Sequence, residues 1–240
     1  MAKDTSRKIV AHIGVHEDAL YDMDYFSRNP NDLSKRFDLN KDTTTIYSPY
    51  GALLYFDIPL TDKGNLFSAK AVNVINAPYF KMGKTSQKDW LNTIRNYPAP
   101  WAELATDKLI LTVPSDSIRN LNDPEKLMKF WNEVMHADAD LAIAPRKRNH
   151  PERIIADNQV AAGYMFTTYN KIVVPIDECL SWMLNEKNKR ASGSWGHFHE
   201  LGHRHQFWGI DFDELEEVSV NLYSVYVCNT VLHKGIFNNV

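Results

Sequence analysis

Cysteine is almost missing from this chain of 240 residues, which has only Cys179 and Cys228. They share no C-x-x-C spacing, which excludes a thiolate zinc cluster and a dense disulfide framework, and both read as buried thiols. Long apolar runs are missing too. None reaches the roughly 20 residues that a membrane-crossing helix needs. Nor is basic charge in excess: 27 Lys and Arg stand against 30 Asp and Glu, and a net charge of −3 gives no electrostatic case for nucleic acid. The one basic cluster, Arg146-Lys147-Arg148, is too short to change that. Met1 to Lys8 lacks the apolar core of a signal peptide, as expected of a chain kept inside the cell or of a start at a fragment boundary. Repeats and low-complexity tracts are absent. What is present, 44% hydrophobic and 24% charged residues, is the composition of a soluble globular protein with one large domain or two lobes.

One stretch stands out: Gly193-Ser194-Trp195-Gly196-His197-Phe198-His199-Glu200-Leu201-Gly202-His203-Arg204-His205-Gln206. It contains H-E-x-x-H. On a helix, at about 100° per residue, His199 and His203 lie one turn apart on one face, and each can offer a ring nitrogen to a single metal ion. Glu200 projects beside them, placed to accept a proton from water, which is why this spacing is the zinc-metallopeptidase signature. By helical phase Gln206 falls near the metal face, while His197 and His205 project elsewhere.

Gly209 reads as a helix stop. Asp213, followed three residues later by Glu216, resembles a capping box and predicts a second helix. Leu215, Val218, Leu222 and Val225 recur at steps of three and four and form its expected buried stripe. Zinc held by two histidines needs a third protein ligand and one open position. Glu214, Glu216 and Glu217 compete for that role. Asn221 favours Glu217, being one turn further along the same face, where its amide oxygen can hold the second N–H of His199.

Gly193, Trp195, Gly196, His199, Glu200, Gly202, His203 and Gln206, followed by Glu217, Val218, Asn221, Leu222, Ser224 and Tyr226, resemble the enhancin-like metallopeptidases. This is the family of viral enhancins and bacterial mucin-degrading gluzincins. Upstream pieces agree in order: Ile46 to Gly51, Ala77-Pro78-Tyr79, Ala99 to Leu104, and Asp157 to Gly163 with Tyr164. The resemblance covers roughly residues 40 to 240. It implies a zinc endopeptidase acting on O-glycosylated, mucin-like proteins, secreted or at the cell surface. Family members usually continue with further helices after the glutamate helix, so the C-terminal helices read as truncated at Val240. Residues 1–40 match nothing in the family and read as an extension or linker, with 41–240 as the peptidase domain.

The expected fold is α+β, a two-lobed gluzincin-like arrangement with a strand-rich N-terminal part and a helical part carrying the zinc site. Residues 32–37 predict a short helix, and His12, His16 and Glu17 read as surface residues. Residues 43–47 and 53–58 predict a hairpin, and 71–75 and 108–113 further strands. A helix is expected over 89–95. Asp123-Pro124 should open another, with Leu127, Phe130, Trp131, Val134 and Ala137 buried. Strands follow at 154–156 and 171–175, then a helix over 177–187.

The implied chemistry is peptide-bond hydrolysis by one zinc on His199, His203 and Glu217, with Glu200 as general base and Asn221 and Gln206 behind the ligands. Tyr164, Tyr223 and Tyr226 are candidate oxyanion donors by residue type. Trp195, Trp101, Glu103, Asn158 and Tyr164 are the candidates for contacting a glycosylated substrate. The alternative is a glycoprotein-binding or interaction module on a catalytically incomplete peptidase fold.

Overall fold

The computed structural model describes residues 9–18, 20, 23, 27–28, 33–59, 68–207, 209–211 and 213–235 and divides the chain into two units, Met1–Asn76 and Ala77–Val240. The first unit holds an antiparallel sheet of β1 (Val10–Ile13), β2 (Lys35–Asp38) and β3 (Leu54–Asp57) in the order β2-β1-β3. Ala11 and Ile13 alternate inward along the middle strand. Val10 pairs with both Asp38 and Asp57. A boundary near residue 40 would cut this sheet, so the division falls at Asn76 instead. The expected helix over 32–37 is a strand from Lys35 onward, while Asp32 lies outside the described residues. His16, expected at the surface, is buried.

β3 pairs with β1 and not with residues 43–47, which form no strand. Residues 71–75 form none either. Both runs have β-branched composition, but strand propensity expresses fit to a half-buried pleated surface. Residues 71–75 have none, Val72 being 68% and Ile75 63% exposed, whereas 43–47 alternates exposed and half-buried positions without pairing to a strand.

The second unit is built on a six-stranded mixed sheet in the order β4-β5-β6-β7-β9-β8. Its strands are β4 (Tyr79–Lys81), β5 (Trp101–Ala105), β6 (Leu109–Pro114), β7 (Glu152–Asp157), β8 (Phe166–Thr167) and β9 (Ile172–Pro175). β6, β7 and β9 run parallel, and the short edge strand β8 turns back antiparallel on β9. Helix α1 (Gln87–Asn92) follows β4. Helix α2 (Pro124–Leu141) begins where the Asp123 carboxylate accepts the Lys126 N–H at 2.9 Å, with Pro124 in the first turn. Its buried face includes Leu127, Phe130, Trp131 and Val134; α2 contacts β5 and β6 and also packs on the helices at residues 195–203 and 221–230. Burying each of these side chains contributes about 1.5–3 kcal/mol.

The expected helix over 177–187 breaks in two, α3 (Glu178–Met183) and α4 (Glu186–Ser192). Asn185 intervenes and caps the second piece through the Asn188 N–H at 3.0 Å. Helix α5 (Trp195–His203) follows Gly193, whose φ of 78° is the left-handed conformation that glycine accepts without strain. α5 stops at His203, short of Gly209. The next segment is α6 (Glu216–Ser219) and α7 (Asn221–Thr230). Asp213 makes no capping bond to α6. The stripe expected to be buried faces outward: Leu215, Val218 and Leu222 are 45%, 63% and 51% exposed. Val220, Tyr223, Ser224, Val227 and Cys228 are the buried positions, because this is the face that meets α5 and α2. Gly202 permits that approach. A Cβ there would lie 2.9 Å from both Tyr223 Cβ and Val220 Cγ2.

Candidate metal centre

α5 and the start of α6 bring three donor atoms together. His199 Nε2 lies 3.1 Å from His203 Nε2, and Glu217 Oε2 lies 3.0 Å from the first and 3.6 Å from the second. The two rings stand edge to face on successive turns, as the i, i+4 spacing requires.

The surrounding hydrogen bonds decide which nitrogen of each ring carries its proton. Asn221 Oδ1 lies 3.0 Å from His199 Nδ1 and also accepts the Trp195 indole N–H at 3.1 Å, while Asn221 Nδ2 donates to the Glu217 carbonyl at 2.8 Å. An indole N–H only donates and a carbonyl only accepts, so the amide has one orientation and His199 carries its hydrogen on Nδ1. Gln206 does the same for His203. Its Nε2 donates to the Glu216 carbonyl at 2.7 Å, leaving Oε1 to accept from His203 Nδ1 at 2.6 Å. Each amide therefore holds one ring and one backbone carbonyl of the glutamate segment.

With Nδ1–H of each ring given to an amide, Nε2, Nε2 and Oε2 turn lone pairs toward one another, the donor set that a metal ion takes. That arrangement is repulsive unless a cation lies among them. Donors about 2.1 Å from a tetrahedral zinc stand roughly 3.4 Å apart, and the spacings of 3.0–3.6 Å fit that geometry. His199, His203 and Glu217 also form the one group of metal-binding type among the described residues.

Glu200 is buried, with the Thr167 hydroxyl 2.6 Å from its Oε2. Nothing in the sequence around Thr167 signals that contact, because a two-residue strand has no readable period. Just past His203, Arg204 donates to the carbonyls of Thr168 and Tyr169 at 3.1 and 2.9 Å, and to Glu152 at 2.7 Å. The end of α5 is thus fastened to the β8–β9 turn and to β7.

The other two histidines use both ring nitrogens. His197 Nδ1 lies 2.6 Å from Ser194 Oγ, and its Nε2 lies 3.4 Å from Cys179 Sγ. Burial pushes this imidazole down to about 3 and the Cys179 thiol up to about 12. Both groups stay neutral, so the pair is not an activated thiolate–imidazolium dyad. His205 donates from Nδ1 to the Leu201 carbonyl at 2.9 Å and accepts from Arg148 at Nε2. Burial holds it down at about 4.

The remaining candidates separate by position. Tyr164 (58% exposed), Met165, Trp182 and Trp195 (46% exposed) wall an open pocket of about 380 Å³ floored by Cys179 and His197. Asn158 is exposed just beyond β7. Trp101 and Glu103 lie on β5, four strands from β8 and so roughly 19 Å across the sheet at about 4.8 Å per strand. Glu103 is committed there to Thr112 Oγ1 at 2.9 Å and to Arg153. Those two do not join the site. Tyr223 is fully buried and donates to the His205 carbonyl at 2.8 Å, which removes it as an oxyanion donor. The Tyr164 hydroxyl is turned to Asp177 at 3.0 Å, and burial followed by that carboxylate raises it to about 12. Tyr226 packs against the edge of the core.

The sequence model of the peptidase M60, enhancin and enhancin-like family matches residues 73–239, and that of the N-terminal domain of M60-like peptidases matches residues 1–71. Over 221 residues the chain is 39% identical to TRPM8 channel-associated factor 2 of Bos taurus, covering 92% of this chain and 24% of that protein. It spans about a quarter of the length of the curated relatives it matches. A solved, functionally unknown conserved protein from Bacillus anthracis str. Ames superposes with a TM-score of 0.75 at 26% identity, over 98% of this chain and 48% of that one. A structure of IMPa from Pseudomonas aeruginosa, in complex with an O-glycopeptide, shares the fold with a TM-score of 0.58 at 12% identity, over 98% and 30%.

Proposed function

The chain belongs to the peptidase M60, enhancin and enhancin-like family, and from that premise we propose that it is a zinc endopeptidase acting on O-glycosylated, mucin-like proteins. The observation that carries this reading is the convergence of His199, His203 and Glu217 with both ring tautomers set for ligation. Zinc, when bound by these three residues, supplies a Lewis acid that polarises the scissile carbonyl and acidifies water. The Glu200 carboxylate accepts the attacking water's proton and returns it to the leaving amine. Asn221 and Gln206 keep both rings turned and hold the Glu217 and Glu216 carbonyls respectively.

The glycan preference rests on the family premise and on the solved relative that binds an O-glycopeptide. Within the chain it is supported by the exposed aromatic faces of Trp195 and Tyr164 beside the start of α5. The Trp195 N–H is occupied by Asn221, so the ring face is what it offers to a sugar. A secreted or cell-surface location follows from the same substrate. No helix of the described residues is long and apolar enough to cross a membrane.

A second reading, an interaction module that binds without cleaving, is favoured by the curated relatives named as TRPM8 channel-associated factors. One experiment separates the two: zinc content of the purified protein, together with hydrolysis of a peptide carrying a single O-linked sugar and of its bare counterpart. Zinc at one per chain with faster cleavage of the glycopeptide supports the peptidase. Glycopeptide binding without cleavage by zinc-loaded protein supports the module, and equal cleavage rates remove the glycan preference.

A further inference from the structure

We propose that Thr167 is a positioning residue for Glu200, fixing which carboxylate oxygen is left to exchange protons; this rests on the peptidase reading above. Thr167 ends β8, a two-residue strand at the edge of the sheet. Its Oγ1 lies 2.6 Å from Glu200 Oε2 and 2.9 Å from the Glu200 carbonyl. A hydroxyl has one hydrogen to give. The carboxylate is both nearer and, being charged, the stronger acceptor. Glu200 is only 6% exposed, so little water is available to compete for Oε2. Among the described residues Thr167 is the one donor to this carboxylate. Oε2 is therefore committed, and Oε1 is the oxygen that takes up and releases protons.

Two residues of edge strand would not hold a hydroxyl to that accuracy alone. Arg204 supplies the missing restraint, tying the carbonyls of Thr168 and Tyr169 to the end of α5. Strand end and helix are then joined at Glu200 and again at Arg204, one helical turn apart. Thr167 makes the first of those ties, is followed at once by the second, and moves with the helix it serves.

The test compares zinc-loaded wild type with Thr167→Val, which keeps the shape and removes the hydroxyl, and with Thr167→Ser, which restores it. Zinc content should stay near wild type in both, and Thr167→Val should lower the unfolding midpoint by no more than the loss of one hydrogen bond to a buried carboxylate. For Thr167→Val, kcat should fall about 10- to 100-fold, the scale of a lost hydrogen bond to a charged group, with KM little changed. Thr167→Ser should recover most of the loss, and Thr167→Val placed on Glu200→Gln should cost nothing further. Wild-type kcat in Thr167→Val overturns the proposal. So does an undiminished loss in the Glu200→Gln background, since the hydroxyl would then act through something else. Should Thr167→Val unfold, Thr167→Ala is read in the same way. If wild type cleaves no peptide, the peptidase reading fails on its own. Affinity of the zinc-loaded protein for acetohydroxamate, whose proton a correctly turned Glu200 accepts, then decides: about tenfold weaker binding in Thr167→Val sustains the proposal, and unchanged affinity ends it.

Discussion

Four histidines lie within nine residues, and they fall into two unlike pairs. His197 and His205 are buried with both nitrogens hydrogen-bonded. His199 and His203 are partly exposed, each with Nδ1 held by a side-chain amide and Nε2 turned to the other and to Glu217. All four share one chain direction and nearly one helix. What separates the two pairs is whether one nitrogen remains uncommitted to a structural partner, and that is settled by neighbours contributed from α3, α6, α7, the segments flanking α5 and Arg148 before β7.

The sharpest way to probe the contrast is to alter the chemistry and leave both pairs intact. Glu200→Gln should retain zinc and lose about two to four orders of magnitude in peptidase rate, read as turnover per bound metal; near wild-type turnover would remove Glu200 from the mechanism. Next, the pairs are set against each other. His203→Ala should lose stoichiometric zinc at sub-micromolar free metal, whereas His205→Asn, which keeps a donor for the Leu201 carbonyl, should stay fully loaded. Elemental analysis of both variants breaks the comparison if their zinc contents agree.

A smaller effect is expected one layer out. Asn221→Ala and Gln206→Ala should each weaken zinc binding about 10- to 100-fold without abolishing it, as read by competition with a chelator. Unchanged affinity would leave the amides as packing groups and the tautomer argument without consequence.

The smallest effect lies in the pH dependence of stability. Burial lowers His197 to about 3 and His205 to about 4, against an unfolded value near 6.5. A depressed imidazole stays neutral in the folded chain while its unfolded counterpart takes up a proton. Stability is therefore full above the unfolded value and declines as pH falls from about 6.5 toward 3–4. Between pH 6.5 and 5 each histidine should account for roughly 1.5 kcal/mol of lost stability. Denaturation of metal-free His205→Asn should show a correspondingly shallower decline than wild type. Equal slopes would mean that His205 is not held neutral.

The sequence was most legible where geometry is local. The i, i+4 spacing of His199 and His203, and the turn that separates Glu217 from Asn221, are consequences of helical phase. The helix expected to open at Asp123-Pro124, observed as α2, also follows from local cues, a cap, a first-turn proline and an apolar stripe. Legibility failed where burial depends on distant chain. Leu215, Val218 and Leu222 have a proper helical stripe yet face outward, because the chain meets α5 through Val220 and Tyr223 and buries that face of α7 instead. Trp101 and Glu103 have suitable chemistry and lie four strands away from Thr167. β1 binds residues 10–13 to 54–57, a pairing that no short window of sequence contains.

Gly202 gives the centre a mechanical character. Two of the converging donors ride on α5 and the third on α6, so the bite between them works like a caliper whose jaws are separate helices. The stop that sets the jaw opening is a missing methyl group, since a Cβ at 202 would press on Val220 and Tyr223 at 2.9 Å. A metal ion would then gauge the separation of two helices as much as it would activate a bond. A single added carbon at that buried position would spread the jaws and leave three side chains that merely share a neighbourhood.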